Sequence, residues 1–421
     1  MFNKRKIIND PVYGFISIPS DLIYDLIQEP VFQRLRRIRQ LGLTDLVYPG
    51  ALHTRFHHAL GAMHLMDKTL DSFRRKGHYL YDAESEAALI AILLHDIGHG
   101  PFSHTLEHSL FSVIPHEELS LLIMKTLNKK YDGRLTLAIQ IFTDQYKRKF
   151  FHELVSSQLD MDRLDYLKRD SYFTGVSEGD IGSERIIQML NISEERLVVE
   201  EKGIYSIENF LSARRLMYWQ VYLHKTAICA DRMLNNVIDR ARYLYYDGVD
   251  LFIPVHLKPF FDKEVTIENF KNDQKYLENY TLLDDFDIWY ALKVWALHSD
   301  KILAGLSHSL ISRNLFQINI SSKRPGVESY DTIKNKVKAR YSLTSSEVEF
   351  YVSKGSISNS AYIAEGKKIN ILMKDGRVID ITQAADLPNI KAMSKIVRKY
   401  YLCWPKHISL LGKNFMYGVH G

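Results

Sequence analysis

The chain of 421 residues lacks several features that would place it in a familiar class of protein. It has two cysteines, Cys229 and Cys403, which form neither a CxxC zinc motif nor a disulfide framework. The apolar run 87–94 is far shorter than the roughly 20 residues that cross a bilayer. The charged N-terminus is not followed by an apolar stretch, so we expect no secretory signal, a cytoplasmic location and no membrane partner.

Other absences bear on function. No GxxxxGK[ST] sequence occurs, which argues against a P-loop ATPase. The net charge of +5 is mild, so the chain can bind anionic ligands without being built for nucleic acid. There is no internal repeat and no low-complexity tract. Length and ordinary composition predict a large core divided between two domains.

Helical periodicity predicts a mainly α fold, with a helical domain over residues 1–322 and a smaller α+β domain over residues 323–421. The predicted helices of the first domain cover residues 22–40, 56–75, 84–96, 117–128, 156–169, 207–246 and 284–306. The segment 204–247 has neither glycine nor proline, which predicts one long helix or two nearly continuous ones. Lys202-Gly203, just before it, resembles a hairpin turn.

The C-terminal domain combines both periodicities. An amphipathic helix is predicted over residues 330–341, and a final helix over residues 390–401. Between them, strand-like runs flank residues 374–377, whose Asp-Gly pair predicts a hairpin. We assign no role to this domain from its sequence.

His95-Asp96 is the most informative pair of residues, because it follows the apolar run 87–94 directly. Gly98 and Gly100-Pro101 then prevent the helix from continuing. An ionised carboxylate at the inner end of a core helix is costly unless a cation pairs with it. A bound metal ion is one interpretation, and a His/Asp pair that only caps a core helix is the other.

Two further residues could complete a metal site. Helical steps of four, seven and eight from His58 reach apolar residues, so His58 faces the core and its neighbour His57 faces solvent. Asp162 lies on the predicted helix 156–169, which we expect a serine to cap. One face of that helix carries Leu159, Asp162, Tyr166, Arg169 and Asp170. A solvated charged face is the alternative interpretation.

His58, His95, Asp96 and Asp162 would together offer two imidazoles and two carboxylates. Such a set suits a divalent ion such as Mn, Fe, Mg, Zn, Ni or Co, whose identity the ligands leave open. Spacing alone does not establish that the residues meet.

The order His58, His95-Asp96 and Asp162 resembles the signature of the HD-domain metal-dependent phosphohydrolases. Longer strings, at residues 55–61, 95–104, 116–117 and 162–166, resemble the deoxynucleoside triphosphate triphosphohydrolases of that family. The resemblance covers about residues 6–320 and is greatest to the sterile-alpha-motif-and-HD-domain subgroup, without its extra motif. It implies that the four residues bind the divalent ion. It also implies hydrolysis of a deoxynucleoside triphosphate to a deoxynucleoside and tripolyphosphate.

The resemblance further implies roles for individual residues. His116, with His99 and His104, would act near the scissile phosphate, where a histidine can protonate the leaving 5′-oxygen. The implied substrate-binding residues are Gln40, Arg55, Arg163, Tyr166, Asp170, Arg214 and Tyr222. Arg163 stands where the family commonly has lysine, which keeps the charge but changes the geometry.

A regulatory nucleotide and self-association also follow from the resemblance alone. Lys6, Gln33, Arg36 and Arg313 match residues that hold an activating nucleotide. Gln28 and Gln317 depart from that pattern, and a solvated helix face explains Arg36 and its neighbours equally well. The resemblance implies a homodimer or homotetramer.

Two alternative functions remain open. The first is an HD phosphohydrolase acting on a nucleoside monophosphate, a cyclic nucleotide or a signalling nucleotide. Arg55, Arg163 and Arg214 argue against it, because a monophosphate needs fewer cations. The second is a nucleic-acid-binding or scaffold protein with a structural metal site. Basic clusters at 74–76 and 147–149 favour it, but they lack the interleaved aromatic residues of a single-strand platform.

Overall fold

The computed structural model describes residues 6–110, 114–359, 368–386 and 397–408. Helices dominate, as expected. The helices are α1 (Asp21–Gln28), α2 (Pro30–Gln33), α3 (Arg55–Arg75), α4 (Asp82–Leu94), α5 (Ser103–Leu110), α6 (His116–Lys130), α7 (Thr136–Phe142), α8 (Phe150–Val155), α9 (Met161–Thr174), α10 (Ser183–Met189), α11 (Ile204–Met217), α12 (Lys225–Tyr246), α13 (Lys258–Asp262), α14 (Ile267–Asn272), α15 (Gln274–Leu282), α16 (Asp285–Trp295), α17 (Lys301–Ile311), α18 (Val327–Tyr341) and α19 (Ile381–Ala384).

Short strands complete the described fold. They are β1 (Ile7–Asp10), β2 (Gly14–Ser17), β3 (Leu190–Ser193), β4 (Arg196–Glu200), β5 (Gln317–Ser321), β6 (Ser353–Asn359), β7 (Asn370–Leu372), β8 (Val378–Asp380) and β9 (Val397–Trp404). No helix in the described ranges is long and apolar enough to cross a membrane.

Three helices, α3, α4 and α9, position the candidate site. Helix α3 packs against both α4 and α9. Helix α4 is buried along most of its length and ends at Leu94, where the glycine-rich segment begins. Helix α9 begins at Met161 because the Asp160 side chain accepts a hydrogen bond from the Arg163 amide, so the predicted serine cap was wrong.

An N-terminal hairpin lies against α3. Strands β1 and β2 pair antiparallel, with Ile7 opposite Ser17 and Asp10 opposite Gly14. Gly14 has a φ of +74°, a left-handed conformation that glycine adopts without strain. Ile16 of β2 is fully buried and anchors the hairpin in the core.

Strands from the C-terminal part of the chain belong to two different sheets. One sheet has the order β3-β4-β7-β8 and the other has the order β5-β9-β6, so each combines strands from both sides of residue 322. The predicted hairpin around 374–377 is confirmed by the antiparallel pairing of β7 and β8. The division into two domains at residue 322 stays a prediction.

Tertiary pairing explains where local expectations were wrong. Residues 397–401 belong to strand β9, which pairs with β5 and β6 on its two edges, and not to a helix over 390–401. Residues 387–396 lie outside the described part. Lys202-Gly203 forms a 3-10 turn that leads into α11, and not a hairpin. A π-helical turn, Tyr218–Tyr222, separates α11 from α12.

Candidate metal centre

The structure brings the predicted metal ligands together from three elements. His58 lies in the first turn of α3, His95-Asp96 follows α4, and Asp162 lies in the first turn of α9. The Nε2 atom of His58 is 3.4 Å from Nε2 of His95 and 3.2 Å from Oδ1 of Asp162. Nε2 of His95 lies 3.6 Å from the same oxygen of Asp162 and 3.2 Å from Oδ1 of Asp96.

The hydrogen bonds of the outer ring nitrogens explain why two imidazoles meet here. Nδ1 of His58 is 2.7 Å from Oδ2 of Asp165, and Nδ1 of His95 is 2.6 Å from the Ile92 carbonyl oxygen. When each Nδ1 carries the proton it donates, both Nε2 atoms present lone pairs to the same point. The two imidazole lone pairs and the nearby Asp162 carboxylate could bind one shared cation.

The donor set fits a divalent ion. Ligands bound to one ion at about 2.0 to 2.2 Å lie about 3 to 3.5 Å apart, close to the separations in this cluster. The ion-paired groups around it are Asp10, Asp96, Asp162, Asp165, Arg55 and Arg169. Four carboxylates against two guanidinium groups leave two negative charges, which one divalent ion neutralises.

The electrostatics of the cluster lead to the same conclusion. Burial disfavours the charged form of His58, but hydrogen bonds to Asp162 and Asp165 outweigh this and raise the pKa of His58 to about 10. Burial likewise opposes the charged form of His95, but Asp96 and Asp162 raise the pKa of His95. Despite burial, the surrounding cations hold the pKa of Asp162 and that of Asp96 below their usual range. Without an ion, protons on the two imidazoles supply the missing charge.

We therefore expect the thermal stabilisation produced by Mn²⁺ to increase between about pH 6.5 and pH 9. The raised pKa of His58 means that its proton stabilises the metal-free protein fully below about pH 6.5. That contribution is lost as the pH rises towards 10, whereas a bound ion replaces the proton and keeps the loaded protein stable. Melting temperatures with and without Mn²⁺ across this range measure the difference. A difference that stays constant or shrinks would contradict the expectation.

A second polar group lies beside the first. Arg55 donates to Asp96 at 2.5 Å, and Nε2 of His99 is 3.4 Å from the other oxygen of that carboxylate. The rings of His99 and His116 stack with centroids 3.8 Å apart. A second possible ion site consists of Asp96, His99 and His116. Each offers one ligand atom, and these atoms lie within 4.8 Å of one another. His104 belongs to α5, but its side chain lies outside the described residues.

The candidate substrate residues line an adjoining face. Asp170 is buried and accepts a 2.7 Å hydrogen bond from the Tyr222 hydroxyl, while His53 lies 2.7 Å from its other oxygen. The Tyr166 ring meets the Tyr222 ring edge-on at 6.0 Å. The backbone amide of Gln40 donates to the His53 carbonyl, which places Gln40 in the same group.

Arginine side chains supply positive charge next to this face. Arg163 pairs with Asp160, and Arg214 donates to Gln158 at 2.9 Å. Both arginines act electrostatically on Tyr166, so their charges converge there. Polar atoms that are buried without a hydrogen-bond partner among the described residues include Nε of Arg55, Arg163 and Arg214 and Oε1 of Gln40. Buried polar atoms without a hydrogen-bond partner are uncommon in native proteins, so these four atoms could bind a polar ligand.

The candidate regulatory residues fall into two places. Lys6 and Arg36 line one cavity of about 490 Å³, and Gln33 accepts a 2.8 Å hydrogen bond from Arg36. Arg313 instead donates to the Leu46 carbonyl and does not line that cavity. Lys6 and Arg36 therefore share a cavity and Gln33 contacts Arg36, whereas Arg313 has a separate contact, and the activator site stays a prediction.

Several functional neighbours were missed by sequence reasoning. Asp165 contacts the candidate ligand His58 and Asp10 pairs with Arg169, yet sequence reasoning assigned neither carboxylate a role. The helical period places Arg169 on one face with Asp162 and Tyr166, and in the structure the Arg169 guanidinium pairs with Asp165 and Asp10. His53 was also missed. An aspartate three residues after Asp162 was the available signal, and its position in the sequence does not distinguish a partner of a metal ligand from a ligand.

Comparison with known proteins finds a family match over the three helices that carry this cluster. Residues 55–170 match the HD domain and residues 181–245 match the HD associated region. A solved structure of a phosphohydrolase from Bacteroides thetaiotaomicron is 51% identical, with a TM-score of 0.92 over 95% of this chain and 100% of that chain. The uncharacterized protein YwfO of Bacillus subtilis is 32% identical over 422 residues, which cover 96% of this chain and 93% of YwfO. A deoxynucleoside triphosphate triphosphohydrolase SAMHD1 homolog of Dictyostelium discoideum is 31% identical over 56% of this chain and 49% of its own length.

Proposed function

The chain belongs to the HD-domain phosphohydrolases, and we propose that its substrates are deoxynucleoside triphosphates, cleaved to a deoxynucleoside and tripolyphosphate. The observation that carries this proposal is the set of three arginines, Arg55, Arg163 and Arg214, each with a buried Nε that has no hydrogen-bond partner among the described residues. Arg55 pairs with the candidate ligand Asp96, and the charges of the other two both act on Tyr166. A triphosphate needs several converging cations, whereas a monoester does not. The similarity to a triphosphohydrolase over half of that relative's length supports the same substrate class.

In this proposal the candidate ligands and the arginines have separate roles. His58, His95, Asp96 and Asp162 would hold the divalent ion. Such an ion, when bound, would supply positive charge for the phosphates and acidify water near neutral pH. The arginines hold the phosphates in position and stabilise the negative charge that develops in the transition state.

We assign proton transfer to His99 and His116, the histidine pair next to Asp96. Burial and the charge of Arg55 hold the pKa of His99 well below its usual range, so His99 is neutral at pH 7. His116 stacks on it at 3.8 Å and is less buried, and from the family resemblance we assign His116 the transfer of a proton to the leaving 5′-oxygen. We assign His104 a supporting role, from the family resemblance alone.

Sugar recognition falls to Asp170 and the two tyrosines. The Asp170 carboxylate is oriented by His53 and Tyr222, and we propose that it accepts a hydrogen bond from the 3′-hydroxyl. The Tyr166 ring, packed against Tyr222, would leave no room for a 2′-hydroxyl. Gln40 binds the same edge of the sugar. Nucleotide activation, a homo-oligomeric assembly and a cytoplasmic location stay predictions.

Identification of the products tests the proposal. Purified protein is incubated with each of the four deoxynucleoside triphosphates and Mn²⁺ or Mg²⁺ in H₂¹⁸O, with the ribonucleotides as controls. We expect tripolyphosphate carrying ¹⁸O, together with the free deoxynucleoside, and little reaction of the ribonucleotides. Pyrophosphate with a nucleoside monophosphate, or hydrolysis of monoesters alone, would contradict the proposed substrate and favour another HD phosphohydrolase activity.

A further inference from the structure

Buried ion pairs connect the candidate metal ligand His58 to the N-terminal hairpin. Asp165 accepts from Nδ1 of His58 at 2.7 Å and from Nε of Arg169 at 3.0 Å. Nη2 of Arg169 contacts the second oxygen of Asp165 at 3.0 Å, which makes the pair bidentate. Nη1 of Arg169 reaches Oδ2 of Asp10 at 2.7 Å. We call these four residues (Asp10, Arg169, Asp165 and His58) the charge network.

The charge network is enclosed by protein. The side chains of Arg169, Asp165 and His58 are completely buried, and Asp10 is nearly so. Helix α3 presses on it through Gly61, where an added Cβ would lie 2.0 Å from Oδ1 of Asp165. A guanidinium enclosed in this way depends on its two carboxylates, because water cannot replace either of them.

Asp10 also holds the hairpin in shape. Its Oδ1 accepts hydrogen bonds from the backbone amides of Val12 at 2.9 Å and Tyr13 at 3.0 Å, which closes the turn between β1 and β2. One carboxylate therefore sets the hairpin turn and neutralises Arg169. A shift of the hairpin would therefore move the negative charge of Asp10 away from Arg169.

We propose that Asp10 and Arg169 are positioning residues for the metal centre, through which the N-terminal hairpin controls how firmly the divalent ion is held. Asp165 keeps the proton of His58 on Nδ1 and its lone pair on Nε2, and the bidentate grip of Arg169 fixes the orientation of Asp165. Asp10 completes the charge balance of that grip. This inference rests on the metal site of the proposed function, but not on the identity of the substrate.

The test measures metal retention directly. Asp10→Asn keeps the size of the side chain and an oxygen for the turn, but removes the charge that faces Arg169. Groups that orient a metal-binding histidine typically change metal affinity by about 10- to 100-fold, and Asp10 acts through two intermediates, so we expect about tenfold faster loss of Co²⁺ to a chelator. We also expect a change in the Co²⁺ absorption spectrum, which reports ligand geometry.

Asp300→Asn provides a matched control. Asp300 caps a backbone amide, that of Leu303 at 2.8 Å, and pairs with the buried Arg240 at 2.6 Å. Within the described residues the other ion-pair partner of Arg240 is Glu347, which is not a candidate metal ligand. This variant should lower the melting temperature to a similar extent and leave the Co²⁺ spectrum and release rate unchanged.

Arg169→Lys supplies a second, independent variant. Lysine keeps the charge but cannot grip Asp165 with two donors, so we expect Co²⁺ release at least as fast as in Asp10→Asn. Wild-type release rates and spectra in both variants would overturn the proposal, even if both melt earlier. A wild-type protein that binds no divalent ion would overturn the metal site as well, whereas normal metal binding with unaffected variants overturns the charge network alone.

Discussion

His58→Ala is expected to bind no divalent ion and to lose at least about 10³-fold in phosphohydrolase activity, or about 4 kcal/mol of transition-state stabilisation. His58 is the most central of the candidate ligands, because its Nε2 lies within 3.8 Å of His95, Asp96 and Asp162. Its removal also leaves Asp165 without the proton it accepts. Metal content by mass spectrometry and kcat/KM for hydrolysis are the measurements.

His57→Ala is the control for this substitution, since it changes the neighbouring residue of the same helix. His57 accepts from the Thr54 amide at 3.2 Å and helps to begin α3, so its loss should cost about 1 kcal/mol of stability. Metal content should stay at the wild-type level. Retention of the ion by His58→Ala, or equal loss from both variants, would refute the proposed site.

Gly61→Ala is expected to destabilise the fold by about 3 to 5 kcal/mol and to release the metal ion, although alanine is the better helix former. The new methyl group would lie 2.0 Å from Oδ1 of Asp165 and 2.2 Å from Nη2 of Arg169. One of these buried charges must therefore move away from its partner. Chemical denaturation gives the free energy of unfolding, and metal content is measured on the same sample.

Gly326→Ala is the matched glycine substitution. An added Cβ there meets no atom closer than Oγ of Ser329 at 3.8 Å, so the stability should change by less than about 1 kcal/mol. If Gly61→Ala were as mild as Gly326→Ala, the close packing of the charge network against α3 would be wrong.

Much of the fold was predictable from local patterns. The inward face of α3 followed from its helical period, and full burial of His58 confirms that expectation. The end of α4 followed from the glycines and proline after the apolar run, and α18 and the β7–β8 hairpin followed from periodicity and turn residues. These features depend on neighbours within a few residues, which a single sequence displays directly.

The sequence by itself determined a mainly helical HD-domain protein and a set of acidic and histidine side chains suited to a divalent ion. Only the tertiary structure decided that Asp10 meets Arg169 across 159 residues of sequence, that Asp165 orients His58, and that β9 is a strand between two others. Their partners are distant in the sequence, and no local period records them. A buried charge requires a partner, but which residue supplies it depends on how the helices and the hairpin pack.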